Sequence, residues 1–206
     1  MKPILLIGGG GHCRSVIDLL ESTGLYAVAG IVQRADADCA PAVLGYPVVG
    51  DDNALPALLK LTPCAIVTVG QIKEAALRIH LFERLRQLQA EIPVIASPLA
   101  YVSRHTQIGD GCVIHHGAVV NAGVLMGENC IINSQALLEH DVRIGDQVHI
   151  STGAKLNGGV TVGPACFVGS GAIIHQGVMV GQGSVIGAGC VVSRDVPPHS
   201  TIRNRR

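Results

Sequence analysis

Large aliphatic side chains recur every six residues along the second half of the chain. A period of six fits neither an α-helix, which repeats every 3.6 residues, nor a single strand, which repeats every two. It is typical of the hexapeptide repeat of a parallel β-helix, in which three hexads close one triangular coil. The sixteen positions are Val102, Ile108, Ile114, Val120, Met126, Ile132, Leu138, Ile144, Ile150, Leu156, Val162, Val168, Ile174, Val180, Ile186 and Val192.

Small side chains and glycines take fixed places within the same hexads. A small residue, most often Ala, Val or Cys, lies four positions after each aliphatic residue, and we expect both sets to fill a narrow core. Three positions after the aliphatic residue, the many glycines predict corners with positive φ. A further series with an eighteen-residue spacing, one coil apart, consists of Gly109, Gly127, Gly145, Gly163 and Gly181. No hexad contains an insertion, so we expect an uninterrupted prism.

The pattern before residue 95 alternates between strands and helices. Strands are predicted over Pro3–Gly8, Ala27–Val32, Tyr46–Val49, Ala65–Gly70 and Ile92–Ile95. Helices are predicted over His12–Ser22, from a capping Asp51 to about Leu61, and over Lys73–Ala90. This order implies a small parallel sheet with helices on its faces. We therefore expect two domains, a Rossmann-like α/β domain over residues 1–96 and a β-helix over residues 97–206.

Composition and charge narrow the function classes. The 206 residues carry no formal net charge, and the short tail Arg203–Arg206 is interpreted as a frayed terminus, so nucleic acid is not an expected partner. No apolar run reaches the length of a membrane span, and Met1–Gly8 leads straight into a strand without a signal peptide. Four of the seven cysteines fall on small inward positions and are predicted to be buried hydrophobes rather than metal ligands or disulfides. We expect a cytoplasmic protein.

A run of four glycines, Gly8–Gly11, joins the first strand to the first helix. Backbone N–H groups at such a turn, together with the positive end of the helix, can bind an anion, although a flexible turn is the alternative. The G-x-G-x-x-G pattern is not met, because Cys13–Arg14 replaces its last glycine. Gln33–Arg34 closes the second strand where a nicotinamide site has an acidic residue, with Asp36 nearby. We predict a nucleotide or phosphate site and not a nicotinamide site.

The two halves together resemble the bacterial nucleotide-sugar acetyltransferases, which include the UDP-4-amino-sugar and perosamine N-acetyltransferases and the related sialic acid O-acetyltransferase. Three motifs carry the resemblance, namely Gly9-Gly10-Gly11-His12, the stretch Ile132–Asp141 with Glu139-His140-Asp141 at its end, and the stretch His149–Lys155. The resemblance implies that the β-helix is left-handed, that acetyl-CoA is the co-substrate and that the chain forms a homotrimer. No metal is implied.

The same resemblance assigns roles to individual residues. It makes His140 the general base and Asp141 the acidic residue that orients its ring. Glu139 and Asn133, which lies seven residues before the base, become substrate-binding residues. The glycine-rich loop Gly9, Gly10, Gly11 with His12 is implied to hold the nucleotide-sugar. His149 is implied to lie near the thioester, and the backbone N–H of Gly158, one coil after His140, to donate to the acetyl carbonyl.

The residues themselves agree with this chemistry. Leu138 should point inward, which brings His140 close to a corner of the prism, with the small residues Ala122 and Gly158 one coil away on either side. A neutral imidazole can take a proton from an amine or a hydroxyl, and a carboxylate on its other nitrogen fixes the tautomer. No serine or cysteine motif suggests an acyl-enzyme, so we expect direct attack on acetyl-CoA.

We therefore expect N-acetylation of the amino group of a nucleotide-linked 4-amino-4,6-dideoxy sugar, in the synthesis of a surface glycan or glycoprotein. O-acetylation of sialic acid or a related sugar is the alternative, because the same base serves a hydroxyl. A zinc carbonic anhydrase of the same architecture is disfavoured, since no two histidines of the prism are five residues apart. A non-catalytic nucleotide-sugar binding module is disfavoured by the intact Glu139-His140-Asp141.

Overall fold

The computed structural model describes residues 1–34, 41–72 and 74–204. They form two compact units, one of residues 1–70 and 76–95 and the other of residues 71–75 and 96–206. Asp36, Lys73 and the last two arginines of the chain, which entered the predictions above, lie outside the described residues. None of the helices in the described ranges is both long and apolar enough to cross a membrane.

The first unit is built around a five-stranded sheet with strand order β3-β4-β2-β1-β5. All neighbouring strands are parallel except β3 and β4, which form a hairpin. Strand β1, which lies between β2 and β5, is buried over its last four residues, as the predicted sheet with helices on its faces requires. The elements are β1 Lys2–Ile7, α1 Gly11–Thr23, β2 Tyr26–Val32, β3 Ala42–Val43, β4 Tyr46–Gly50, α2 Leu55–Leu61, β5 Ala65–Val67 and α3 Ala76–Gln87.

Several predicted boundaries in this unit are wrong. The helix predicted from Asp51 begins only at Leu55, because the Asp51 carboxylate accepts the N–H groups of Asn53 and Ala54 and so caps the turn that precedes the helix. The strand predicted over Ile92–Ile95 is reduced to β6, Ile95–Ala96, since Pro93 has no N–H to give to a ladder. Strand β3 was not predicted because two residues carry no periodicity.

The second unit stacks two-residue strands into three parallel sheets. Their orders are β22-β19-β16-β13-β10-β7, β20-β17-β14-β11-β8 and β23-β21-β18-β15-β12-β9-β6. The strands are β7 Tyr101–Val102, β8 Gln107–Ile108, β9 Val113–Ile114, β10 Val119–Val120, β11 Leu125–Met126, β12 Ile131–Ile132, β13 Leu137–Leu138, β14 Arg143–Ile144, β15 His149–Ile150, β16 Lys155–Leu156, β17 Thr161–Val162, β18 Phe167–Val168, β19 Ile173–Ile174, β20 Met179–Val180, β21 Val185–Ile186, β22 Val191–Val192 and β23 Thr201–Ile202.

The predicted eighteen-residue coil is confirmed by the pairing register. Leu137 pairs with Val119 on one side and with Lys155 on the other, each eighteen residues away. The inward aliphatic residues are buried from Ile114 onward, and so are the small residues from Cys112 onward. The four cysteines at small inward positions are buried, as predicted, and burial raises the pKa of the Cys166 thiol.

The predicted corners are also confirmed. Every sixth residue from Gly111 to Gly189 has a positive φ, between 51° and 77°. Nine of these fourteen positions are glycine, but Asn129, Gln135, Asp141, Gln147 and Ala165 adopt the same left-handed conformation. The strand length and the corner are therefore set by the repeat, so a residue's place in the hexad fixes its place on the prism.

Candidate active site

His140 lies at a corner of the β-helix, two residues after the buried Leu138 of β13. Its Nδ1 atom is 2.9 Å from Oδ2 of Asp141, whose left-handed backbone (φ 61°) is that of a corner residue. The two side chains are 62% and 72% exposed. Because an ionised carboxylate can only accept, Nδ1 carries the proton and Nε2 is left as a proton acceptor.

The imidazole of His140 lies directly over Gly158 of the next coil. A Cβ atom added at Gly158 would come within 2.6 Å of Nε2 and 2.7 Å of Cε1, so only glycine leaves room for this ring position. The neighbouring backbone is tied together, since Gly159 donates to the His140 carbonyl and Gly177 donates to the Gly158 carbonyl. The N–H of Gly158 itself donates to no group among the described residues. It therefore fits the predicted role of a donor to a ligand oxygen.

Glu139 is bound to the coil that precedes it. Its carboxylate accepts a hydrogen bond of 2.9 Å from Nδ2 of Asn121, which lies eighteen residues earlier at the same corner. The side chain is half-buried, so part of the carboxylate stays open to solvent. Glu139 thus lies beside His140 with part of its carboxylate accessible, which suits the predicted contact with the substrate.

Asn133, which follows β12, and His149, which belongs to the paired strand β15, form a second group. Nδ2 of Asn133 is 3.5 Å from Nε2 of His149, and Oδ1 of Asn133 accepts the N–H of Ser134. Within the described residues no hydrogen bond links this pair to His140 or Asp141. The structure therefore brings the predicted site residues of this unit together as two groups.

The ring of His149 is held in a single orientation. Its Nδ1 is 2.6 Å from the carbonyl oxygen of Gln71, and its edge meets the face of Phe167 at a centroid distance of 5.2 Å. The Nδ1–H bond to a carbonyl leaves Nε2 as the acceptor. Only 7% of the residue is exposed, so little of the ring is open to a ligand. Gln71 was missed by the sequence analysis, because no motif links it to a residue 78 positions later.

The glycine-rich loop forms the N-terminus of α1. Gly8 needs its positive φ of 112°, and Gly10 is the N-cap residue and offers no side chain to the first turn. The N–H of Gly11 makes no hydrogen bond among the described residues, and added Cβ atoms at Gly10 and Gly11 would meet open space. The loop thus presents bare backbone donors at the positive end of a helix, which suits an anionic ligand.

A cavity of about 210 Å³ opens over this loop. It is lined by the loop with His12, by Gln33–Arg34 after β2, by Asp52 and by the segment Thr68–Gly70 after β5. These segments follow the carboxyl ends of neighbouring parallel strands, where α/β sheets bind their ligands. A cavity therefore exists where the sequence predicts a nucleotide site, and Gly9, Gly10, Gly11 and His12 line it.

Two residues that support this cavity were not predicted. The buried hydroxyl of Thr68 donates to the Gly8 carbonyl at 2.6 Å, and the buried guanidinium of Arg78 donates to the carbonyls of Val67 and Val69. Each of these side chains holds a loop by a hydrogen bond to a backbone carbonyl. Such a bond leaves no signature in the sequence, because every residue has a backbone carbonyl. Cys13, beside the glycines, is buried, and burial raises the pKa of its thiol, which disfavours the reactive thiolate.

Comparison with known proteins gives the family. The family described as the PglD N-terminal domain matches residues 3–85, and the bacterial transferase hexapeptide family (six repeats) matches residues 105–140 and 159–194. Perosamine N-acetyltransferase from Caulobacter crescentus, solved as a histidine-to-asparagine variant with CoA and GDP-perosamine, is 36% identical over 98% of this chain and 93% of that chain, with a TM-score of 0.89. The chain belongs to this family of nucleotide-sugar acetyltransferases.

A second solved relative supports the same assignment. The acetyltransferase domain of PglB from Neisseria gonorrhoeae is 33% identical over 98% of this chain and 96% of that chain, with a TM-score of 0.88, and it has also been solved with acetyl coenzyme A. WeeI from Acinetobacter baumannii, at 19% identity over 98% of this chain and 96% of that chain and a TM-score of 0.78, shares the fold. No curated protein matches the chain significantly.

Membership of this family confirms the predicted fold, an α/β domain followed by a left-handed parallel β-helix. It also makes the chain an acetyltransferase, as predicted. The relatives solved with CoA and with acetyl coenzyme A support the predicted co-substrate. The roles of the individual site residues stay predictions.

Proposed function

We propose that the chain transfers the acetyl group of acetyl-CoA to the amino group of a nucleotide-linked 4-amino-4,6-dideoxy sugar. The observation that carries this proposal is the His140 corner, where an imidazole held by Asp141 lies over the unpartnered N–H of Gly158. A relative that binds GDP-perosamine and is named as an N-acetyltransferase supports an amino sugar as the acceptor.

The corner can supply each proton and charge that the reaction needs. As the sugar nitrogen forms its bond to the acetyl carbon, Nε2 of His140 takes the amine proton and Asp141 stabilises the imidazolium. The N–H of Gly158 donates to the thioester oxygen, on which negative charge develops. The carbon–sulfur bond then breaks, and His140 returns its proton to the departing sulfur of the coenzyme. No covalent enzyme intermediate is needed.

We propose that the glycine-rich loop binds the diphosphate of the nucleotide-sugar. Gly9, Gly10 and Gly11 present their backbone to the cavity, and anions are stabilised at the N-terminus of a helix. His12 belongs to the first turn of the same helix and is proposed to contact the substrate. On this view residues 1–96 are the nucleotide-sugar domain and residues 97–206 are the acetyltransferase domain.

The remaining roles follow the two groups of residues on the β-helix. Glu139 is proposed to bind the acceptor sugar beside His140, and Asn133 is a second proposed substrate contact. His149 is proposed to contact the coenzyme through its Nε2 side, since Nδ1 is bonded to Gln71. Because His149 is almost completely buried, this last role is the one that the geometry supports least.

We propose that three chains assemble into a homotrimer through the sheet that contains β13. Its outward side chains form an apolar column along the prism with a single lysine, Lys155, between its members. The apolar members are Tyr101, Val119, Leu137, Ile173 and Val191. An exposed apolar stripe of this kind is typical of an interface, and threefold packing would bury it in all three chains.

The acceptor is tested by offering the wild-type chain acetyl-CoA with UDP- and GDP-linked 4-amino-4,6-dideoxy sugars, and with free and CMP-linked sialic acid. The proposal predicts coenzyme release only with a 4-amino sugar and a product that resists hydroxylamine, because an amide survives where an ester is cleaved. A hydroxylamine-sensitive product from sialic acid would move the assignment to O-acetylation. Release with none of the acceptors by folded protein would overturn the proposed acceptor class.

A further inference from the structure

The corner that contains His140 continues along the prism as a column of stacked residues. Backbone hydrogen bonds join its successive coils, from Asp141 to Ala122, from Gly159 to His140 and from Gly177 to Gly158. In order along the chain the middle residues of this corner are Arg104, Ala122, His140, Gly158, Gln176 and Arg194. One arginine therefore lies at each end of the column, with His140 between them.

The last coil turns this corner more tightly than the others. Val192 still pairs with Ile174 eighteen residues earlier, but Val196 bridges to Val180, only sixteen residues earlier. The corner thus consists of three residues, Ser193–Asp195, and Arg194 is at its tip. Two coils separate Arg194 from Gly158, which corresponds to about 10 Å at the spacing of parallel strands.

The two directions from His140 differ in charge. Toward the N-terminus, the carboxylate of Glu139 is bonded to Asn121, and a phosphate group on this side would approach a negative charge. Toward the C-terminus, the unpartnered N–H of Gly158 faces the position proposed for the thioester oxygen. The rest of the coenzyme should therefore extend from Gly158 toward Arg194.

Between Gly158 and Arg194 the corner carries the exposed side chain of Gln176, with a glycine directly after Gly158 and another directly after Gln176. Cβ atoms added at Gly159 and Gly177 would meet nothing within 4 Å, so the corner is open there. Arg194 is exposed and makes no ion pair among the described residues. The carboxylate of the adjacent Asp195 is held by the N–H of Met179, which it accepts at 2.9 Å.

We infer that Arg194 binds a phosphate group of the coenzyme, an inference that rests on the proposed use of acetyl-CoA. A guanidinium suits this role because its paired N–H donors match two phosphate oxygens. Arg104 is the matched control, since it is an exposed arginine at the same corner on the opposite side of His140, where it contacts His105.

Steady-state kinetics of Arg194→Gln, Arg194→Lys and Arg104→Gln would test this inference. Arg194→Gln should raise the KM for acetyl-CoA about tenfold, because one charge-assisted contact is lost. The kcat and the KM for the nucleotide-sugar should stay unchanged. Arg194→Lys should recover part of the loss, and Arg104→Gln should behave as wild type. Equal melting temperatures would show that all variants fold.

Truncated donors identify the group that is bound. With acetyl-pantetheine, which has no phosphate, wild type and Arg194→Gln should have the same KM. With acetyl-3′-dephospho-CoA, a KM that is still higher in Arg194→Gln than in wild type assigns the contact to the diphosphate. Equal KM values in the two proteins assign the contact to the 3′-phosphate. An unchanged KM for acetyl-CoA in Arg194→Gln, or an equal rise in Arg104→Gln, would overturn the inference. Absence of turnover in the wild type would instead refute the proposed function.

Discussion

The imidazole of His140 can lie over the next coil because residue 158 has no side chain. The contact is geometric and independent of any ligand, since an added Cβ atom would overlap both Nε2 and Cε1. The same absence of a side chain exposes the N–H of Gly158 to a ligand. One glycine therefore serves both the base and the proposed donor to the thioester oxygen.

Replacement of Gly158 by alanine should displace the His140 ring and lower kcat/KM by about two orders of magnitude, in line with the loss of a positioned base. In a His140→Ala background the same change should cost less than in wild type, because no ring remains to be displaced and only access to the Gly158 N–H is affected. The measurement is a double-mutant cycle on kcat/KM, with melting temperatures as the control for folding. Additive losses in the double variant would contradict this account.

The residues of the His140 corner could be predicted from the sequence because the hexapeptide repeat fixes their register. Counting eighteen residues from His140 leads to Gly158, and the structure brings the two into contact. The partner of His149 could not be predicted, because Gln71 comes from a segment 78 residues earlier and binds through its backbone carbonyl. The support that Thr68 and Arg78 give to the cavity escapes prediction for the same reason.

At the scale of the elements, close contact between coils explains the glycine series one residue after the aliphatic position. A Cβ atom at Gly163 would lie 2.6 Å from the backbone nitrogen of Gln182 in the next coil, and Gly145 has a similar clash with Pro164. These glycines are needed for backbone approach and not for positive φ. The sequence revealed the series, but only the structure gives its cause.

Gly163→Ala should therefore lower the free energy of unfolding by about 1–3 kcal/mol, the usual cost of overpacking. Thr152→Ala is the control, since Thr152 is exposed at a corner and its truncation should change stability by less than about 0.5 kcal/mol. Urea denaturation followed by circular dichroism measures both. Equal stability of the two variants would be evidence against close coil contact at Gly163.

The reactivity of the cysteines depends on how tightly the core around them is packed. Cys112, Cys130, Cys166 and Cys190 are buried. Burial also raises the pKa of Cys64 in the first unit to about 11, with the Glu91 carboxylate adding to the shift. A raised pKa means that little thiolate exists at mildly alkaline pH, and the thiolate is the species that reacts.

Because all five thiols are buried, iodoacetamide should leave them unmodified in the folded protein at neutral pH. Cys64 should become reactive only as the pH rises toward 11. Peptide mapping by mass spectrometry after timed alkylation locates each modified thiol. The denatured protein, in which all should react at once, is the control. Rapid native alkylation of Cys112 or Cys130 would contradict the tightly packed core.

At the scale of the whole molecule, the α/β unit and the β-helix each carry part of the proposed site. The order of strands and helices predicted the parallel sheet, because alternation of the two element types leaves few other arrangements. It did not predict the β3–β4 hairpin, because β3 has only two residues and is too short to show a period. Neither the sequence pattern nor the structure of one chain gives the number of chains in the assembly. A measurement of molecular mass can decide this part of the proposal.

Val191→Asp should dissociate the proposed homotrimer, because an unpaired charge would be buried at the interface. Met179→Asp is the matched control, since Met179 is 56% exposed against 60% for Val191 but faces outward from a different sheet. Light scattering coupled to gel filtration should give three times the 21.3 kDa chain mass for wild type and for Met179→Asp. A wild-type mass of one chain would contradict the trimer.

The most direct test of the account is the kcat/KM for a nucleotide-linked 4-amino sugar in wild type and in His140→Ala, at saturating acetyl-CoA. Removal of the base should lower kcat/KM by about 10²–10⁴-fold. His80→Ala, a change at an exposed histidine of α3 in the other unit, should leave it unaltered. Turnover by folded His140→Ala at the wild-type rate would contradict the assignment of His140 as the general base.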